Sequence, residues 1–353
     1  EDEDDEDEDE DEDVFGDKTP ADLAETTEGL APTAMINSPE GVCVGPDGAI
    51  YVTDTIHCVV LKVSGAGRVT LLAGTGARGH VDGRAAHAAF ADASKAKDAE
   101  FRHPRGIVAD EAGNLFVCDT ENHTVRGISL EGRVSTLAGS GEPGFVDGPA
   151  LHGASFRLPW ACCRGALAAG EALFVADAGN HCIRAVATEG GVGTVRTIYG
   201  EPGKHGSAVT QLNFPWSLCF LDGLLYVGDK FNQRLLAVLP DAGAPARALS
   251  CVLSDQWVWS ARFAPRGLAA GHDGWVYMSH SSGSSVWRFC PVAPVVPVTP
   301  VTPVPEGLAP AAAEAGRTQP GTLGRDAGGS PALRLEAPPP EKIAGSGVIQ
   351  FTA

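Results

Sequence analysis

Four aspartates, Asp54, Asp119, Asp177 and Asp229, close short apolar runs, and His57, His123 and His181 follow within a few positions. Carboxylate beside imidazole is the material of general acid–base chemistry and of metal ligation. The spacing argues against both. No H-x-H or H-E-x-x-H pair links the histidines, and there is no G-x-S-x-G elbow, Walker A loop or dinucleotide fingerprint. The sequence therefore predicts no catalytic residue, no metal ligand and no cofactor. A residue that returns in every unit of a chain serves every unit, as the hydrogen-bond partner of a turn that each unit makes. Gln233 and His280 stand where this pattern calls for His and Asp, which reads as a worn repeat, and Lys204-His205 reads as a solvated loop.

The units are plain in the sequence. SPEGVCVGPDGAIYVTDTIHCVVLKV, from Ser38, aligns without a gap on HPRGIVADEAGNLFVCDTENHTVRGI, from His103. Looser copies begin at Leu158, Phe214 and Ala264. The anchoring prolines are Pro39, Pro104, Pro159, Pro215 and Pro265, at intervals of 50 to 65 residues. Each unit holds three short β-rich runs, and most close on a fourth such as VTLLAG, VSTLAG or VRTIYG. Four short strands per repeat with no helical period between them describe a propeller blade. The fold class is all-β: a propeller of four-stranded blades with five repeats visible. The fifth repeat lacks its fourth run, and Val14-Phe15-Gly16 is the expected strand that closes the ring; six blades is the alternative.

With the Pro-x-Gly entry, the apolar run ending in Asp and the Asn-His pair in view, the units resemble NHL repeats over about residues 14–290. The segments LAGTGARGHVDG and LAGSGEPGFVDG resemble the family's inter-blade connections. The resemblance implies a propeller in which the recurring Asp and Asn-His residues hold blades together. Propellers that look related include binding modules, metal-dependent lyases and lactonases, and RNA binders.

The informative positions are those where the blades disagree. Directly after the anchoring proline stand Glu40, Arg105, Trp160, Trp216 and Arg266. In a propeller this position opens the innermost strand, so the five side chains are expected around one mouth of the central channel. Two tryptophans flanked by arginines form an aromatic platform with cationic arms, suited to a planar or proline-like group and a carboxylate.

Composition limits the rest. Residues 1–13 are all Glu or Asp, and removing them takes the formal charge from −19 to −6. This tail reads as a disordered, solvated segment, and a body of −6 without a Lys/Arg stripe argues against nucleic acid as partner. Residues 291–342 begin with PVAPVVPVTPVTPVP and read as a disordered linker, with 343–353 a short segment able to form a strand. The Ala-rich insertion AAFADASKAKDAEF is expected to form a helical turn or two. No apolar run reaches the length of a membrane span. The nine cysteines sit mostly one by one in apolar stretches, and adjacent Cys162 and Cys163 suit neither a simple disulfide nor a metal knuckle, which favours a reducing, intracellular compartment. The expectation is a non-catalytic scaffold that presents a rigid face to a protein or peptide. The alternative is a metal-dependent enzyme, a lyase or lactonase-type hydrolase, working in the channel.

Overall fold

A computed structural model describes residues 29–30, 34–84, 98–151, 153–187, 193–208, 210–240, 248–251, 265–280, 285–289 and 341–342. The acidic tail, the Pro-rich stretch, residues 14–16 and most of the Ala-rich insertion lie outside them. Five antiparallel sheets follow one another along the chain. Blade 1 comprises β1 (Gly29–Leu30), β2 (Pro39–Val44), β3 (Ile50–Asp54), β4 (Val59–Val63) and β5 (Arg68–Ala73). Blade 2 comprises β6 (Gly83–Arg84), β7 (Pro104–Ala109), β8 (Leu115–Asp119), β9 (Thr124–Ile128) and β10 (Arg133–Ala138). In blade 3 these are β11 (Gly148–Pro149), β12 (Pro159–Leu167), β13 (Gly170–Asp177), β14 (Cys182–Ala187) and β15 (Thr194–Gly200). Blade 4 holds β16 (Pro215–Leu221), β17 (Leu224–Asp229), β18 (Arg234–Val238) and β19 (Ala248–Cys251), and blade 5 holds β20 (Pro265–Ala270), β21 (Val276–His280), β22 (Ser285–Phe289) and β23 (Glu341–Lys342). Among the described residues no helix is long and apolar enough to cross a membrane.

In every sheet the post-proline strand takes one edge and the next strands follow outward in order. The chain is thus an all-β propeller with the strand plan the repeats predict. Two features go beyond that plan. In blades 1 to 3 a two-residue strand, β1, β6 or β11, adds a fifth place at the outer edge, formed by the segment entering the blade. In blade 5 the fourth place is taken by Glu341–Lys342, from within the 291–342 stretch read as linker, pairing with Arg288 and Trp287. An unpaired sheet edge recruits whatever strand the chain can bring to it.

The edge strands β2, β7, β12, β16 and β20 pack on one another from blade to blade and so line the centre. Their approach is close. A Cβ on Gly41 would fall 2.0 Å from the carbonyl oxygen of Arg105, and one on Gly106 would fall 2.6 Å from Cα of Ala161, which is the physical reason for glycine two residues after the proline. Apolar clusters fill the spaces between blades: Tyr51, Val60 and Ala73 meet Ile107, Val117 and Val134 between blades 1 and 2. Phe174, Ile183 and Tyr199 meet Leu218, Val227 and Leu236 between blades 3 and 4. Seven cysteines between Cys43 and Cys219 are free and, except Cys43, buried, and burial pushes the Cys219 thiol up to about 12.

Blades 1 to 4 are each fastened to the connection entering them by a buried carboxylate. Asp119 accepts from the backbone N–H of Arg102 at 2.7 Å, Asn122 Nδ2 at 2.8 Å and Arg126 Nη1 at 2.8 Å. Asp177 repeats the set with Arg157, Asn180 and Arg184, and Asp229 with Asn213, Asn232 and Arg234. The buried guanidinium of Arg126 continues to Asp82 and the carbonyls of Val81 and Glu100, and that of Arg184 to Asp147 and the carbonyls of Val146 and Ser155. Removing one member of a buried charge pair strands the other. Arg184→Leu is therefore expected to cost about 3–5 kcal/mol, measured as a fall in the urea midpoint, whereas Arg196→Ala, exposed on the same blade, is expected to stay within about 0.5 kcal/mol.

Burial pushes Asp119 and Asp177 up to about 6, against the pull of their arginines and asparagines. A carboxyl that holds its proton more tightly folded than unfolded adds stability at low pH, and that contribution is lost as pH rises through the folded pKa. From about pH 4 to about pH 6.5 these two groups are expected to lower the urea midpoint as pH rises, and Asp177→Asn is expected to flatten the dependence.

Candidate functional site

The proline that starts each inner strand pairs with the signature position ending the second strand: Pro39 with Asp54, Pro104 with Asp119, Pro159 with Asp177, Pro215 with Asp229 and Pro265 with His280. This register sets the post-proline residues and the Asp-bearing turns at the same end of every blade. The residues before the prolines, Ser38, His103, Leu158 and Phe214, have φ between 49° and 55°, in the left-handed region. The chain is thereby turned sharply into each inner strand.

At this end the five post-proline side chains form one continuous row in blade order. Arg105 Nη1 donates to the carboxylate of Glu40, and its guanidinium lies 3.7 Å from the Trp160 ring centroid. Trp160 meets Trp216 with centroids 4.1 Å apart at 46°. Arg266 lies 4.5 Å from the Trp216 ring. Three further residues join the row that the repeat comparison did not single out. Phe214 lies 5.2 Å from Trp160 and 5.9 Å from Trp216. Phe231 lies 5.6 Å from Phe214 and is exposed. Lys230 Nζ stands 3.6 Å from the Trp216 ring and 4.7 Å from Phe231. The signal that marks the post-proline row also marks these three. Lys230-Phe231 follows Asp229 where blades 1 to 3 carry Thr55-Ile56, Thr120-Glu121 and Ala178-Gly179, and Phe214 precedes its proline where the other repeats carry Ser, His, Leu or Ala.

The patch has three cations, Arg105, Lys230 and Arg266, and one carboxylate, Glu40. Each cation lies on an aromatic face, an arrangement worth about 0.5–2 kcal/mol per contact. Trp160 and Trp216 are half-buried and Arg266 is exposed. The arrangement can stack an apolar or planar group against indole while offering guanidinium or ammonium donors to an anion.

The recurring aspartates and histidines lie apart from this chemistry. His123 Nδ1 accepts the N–H of Leu158 at 3.2 Å and His181 Nδ1 that of Phe214 at 3.1 Å, each joining one blade to the next. Burial holds both imidazoles below their ordinary range, which keeps that nitrogen an acceptor. His57 is different. It stands three residues after its aspartate rather than four, in the place of Asn122 and Asn180, and its Nδ1 lies 2.9 Å from Asp54 Oδ2. Cys58 holds the left-handed position in blade 1, with φ 54° like His123. The arginines of the clamp also escaped the repeat comparison, because Arg126 and Arg184 sit inside apolar runs while blade 1 has Leu61 and blade 4 reaches the same aspartate from Arg234, two residues earlier.

Among the described residues no three His, Cys, Asp or Glu side chains converge as a metal site. A cavity of about 380 Å³ lies between blades 2 and 3, toward the opposite end of the strands, lined by Asp110, Phe116, Arg164, Glu171 and Leu173 among others. Its charges are taken up internally: Arg164 pairs with Glu171 and Asp110 accepts from Asn114.

Comparison with known proteins finds partial likenesses. The chain is 36% identical over 104 residues to Protein SUPPRESSOR OF QUENCHING 1, chloroplastic, of Arabidopsis thaliana, covering 29% of this chain and 9% of that protein. It is 32% identical over 104 residues to NHL repeat-containing protein 2 of Homo sapiens, covering 29% of this chain and 14% of that one. The matched stretch is thus a small part of either relative. Among solved structures, a gluconolactonase of Xanthomonas campestris superposes with a TM-score of 0.47 at 15% identity, over 72% of this chain and 73% of that one. The family model of the NHL repeat matches residues 101–128, from Phe101 through the Asp119 clamp to Ile128. The chain thus carries an NHL repeat at residues 101–128, within a β-propeller of five described sheets.

Proposed function

We propose that the protein is a binding module that holds a protein or peptide partner on the propeller end bearing Arg105, Trp160, Trp216 and Arg266. The observation that supports this reading most is the Trp160–Trp216 contact, capped by Arg105, Lys230 and Arg266 and open enough to be touched from outside. Trp and Arg are the residue types that dominate binding hot spots, and here they occupy positions where the repeat allows variation. The partner's contact segment carries an apolar or planar group beside a carboxylate. Glu40 braces Arg105, and Arg266, exposed beside the Trp216 ring, is the cation that meets that anion.

Trp160→Ala with Trp216→Ala is expected to weaken partner binding at least about thirtyfold, the scale of a hot spot worth about 2 kcal/mol, while the thermal midpoint shows a folded propeller. Loss of folding in the double variant would assign the indoles to packing between blades 3 and 4. The competing reading, a metal-dependent enzyme in the channel, makes a different prediction. Elemental analysis of the chain after long dialysis is expected to find no stoichiometric transition metal, and a one-to-one metal would overturn the scaffold reading.

A further inference from the structure

A histidine stands at each of the two joints that carry the tryptophans. The turn after the signature aspartate ends on a residue in the left-handed region, Cys58, His123, His181 and Gln233 in blades 1 to 4, with φ between 51° and 56°. In blades 2 and 3 the side chain at this place reaches the residue before the next proline. His123 Nδ1 accepts the N–H of Leu158 at 3.2 Å, two residues before Trp160, and His181 Nδ1 that of Phe214 at 3.1 Å, two residues before Trp216. The arginines of the row, Arg105 and Arg266, follow the joints where Cys58 and Gln233 hold the place. Burial pushes the Cys58 thiol up to about 11, and glutamine does not titrate. Of the four side chains, only the two imidazoles change charge near neutral pH.

These two bonds admit one protonation state. A backbone N–H only donates, so Nδ1 is the bare nitrogen and the ring proton sits on Nε2. A second proton turns Nδ1 into a donor facing a donor, and the bond is lost. Both rings are half-buried, so solvent reaches them. Around His123 stand Arg102, Arg157, Glu121 and Glu142. Around His181 stand Arg157 and, with ring centroids 5.5 Å apart across the joint, His205. Burial, with the neighbouring cations behind it, holds both imidazoles below their ordinary range. The folded chain therefore takes the second proton less readily than the unfolded one, so the stability these rings add is complete above about pH 6.5 and is lost as pH falls. Asp119 and Asp177 open the same two turns that His123 and His181 close. Their raised carboxyls act with the opposite sign over the same range, so a global unfolding midpoint mixes the two effects and a local readout separates them.

We propose that His123 and His181 form a pH-sensitive latch on the aromatic patch, closed while both imidazoles are neutral and opened when each takes a second proton. Resting on the reading of this patch as the partner site, the latch adds regulation to it: the partner is held at neutral pH and released in mildly acidic surroundings. Acid frees the entries to the two inner strands that carry Trp160 and Trp216. Phe214, whose N–H is one of those released, also packs its ring on both indoles, so the Trp160–Trp216 contact opens with it.

Amide hydrogen exchange followed by NMR tests the latch with no partner present, which keeps its failure distinct from a failure of the binding reading. Dividing the exchange rate of an unstructured chain at the same pH by each measured rate gives a protection factor free of the intrinsic pH dependence. From about pH 7.5 to about pH 5, the factors of Leu158 and Phe214 are expected to fall at least about fivefold, the worth of one net hydrogen bond. Phe174, in the ladder between β13 and β14, keeps its protection. His123→Asn and His181→Asn retain an acceptor and remove the titration, because the Asn amide oxygen stands as far along the side chain as Nδ1 and asparagine tolerates the left-handed backbone. Each substitution is expected to flatten the pH dependence of its own amide, Leu158 or Phe214, and to leave the other as it was. Fluorine signals of fluorotryptophan at Trp160 and Trp216 are expected to move over the same range in the native chain and to stay still in the double variant. Protection that does not change with pH in the native chain overturns the proposal. An equal fall in the Asn variants overturns it too and assigns the titration to Asp119 and Asp177. Amides that loosen while the fluorine signals stay still also overturn it, because the latch then does not reach the indoles.

Discussion

A carboxylate with no exposure to water organises this propeller. Asp119, Asp177 and Asp229 each collect a backbone N–H from the segment before the anchoring proline, an asparagine amide from the following turn and a guanidinium from the strand beyond. An unpaired charge in such a place would cost several kcal/mol, so the three donors and the acceptor exist only as a set. Everything else in a blade is arranged around that set: the left-handed residue before the proline, the 3-10 turns Thr120–Asn122 and Ala178–Asn180, and the connection gripped by the arginine.

Blade 1 solves the same problem with other residues. His57 takes the place of the asparagine, Leu61 that of the arginine, and Asp54 accepts the N–H groups of Asn37 and His57. The carboxylate keeps its burial with less charge around it.

Much of this was legible in the sequence, because period and punctuation depend on local rules. Proline, glycine and aspartate recur where a turn or a close approach admits little else, so blades, inner strands and the post-proline row could be placed without coordinates. Residues set by partners distant in the chain were harder to read. Arg126 and Arg184 look like polar accidents within apolar runs until Asp82 and Asp147 are seen against them. His57 was grouped with His123 because both follow an aspartate closely, although a difference of one position moves the ring from the inter-blade bond to the carboxylate. Phe214, Lys230 and Phe231 joined the aromatic patch for a third reason: the sequence shows where blade 4 departs from the others, but only packing shows that the departures converge.

Among the described residues, the hydrogen bonds that tie one blade to the next run from a unit to its successor. Thr55 donates to the carbonyl of Pro104 and Thr120 to that of Pro159, while the N–H of Leu158 and of Phe214 return to His123 and His181. Interactions confined to nearest neighbours make the molecule a short one-dimensional lattice, whose cooperativity rests on the coupling between adjoining sites. Damage in one blade is then felt first by the two beside it. The middle of the array, where a unit is packed by a neighbour on both sides, is expected to hold its amide protons longest against exchange, and the Trp160–Trp216 contact sits across the joint between blades 3 and 4 within that region.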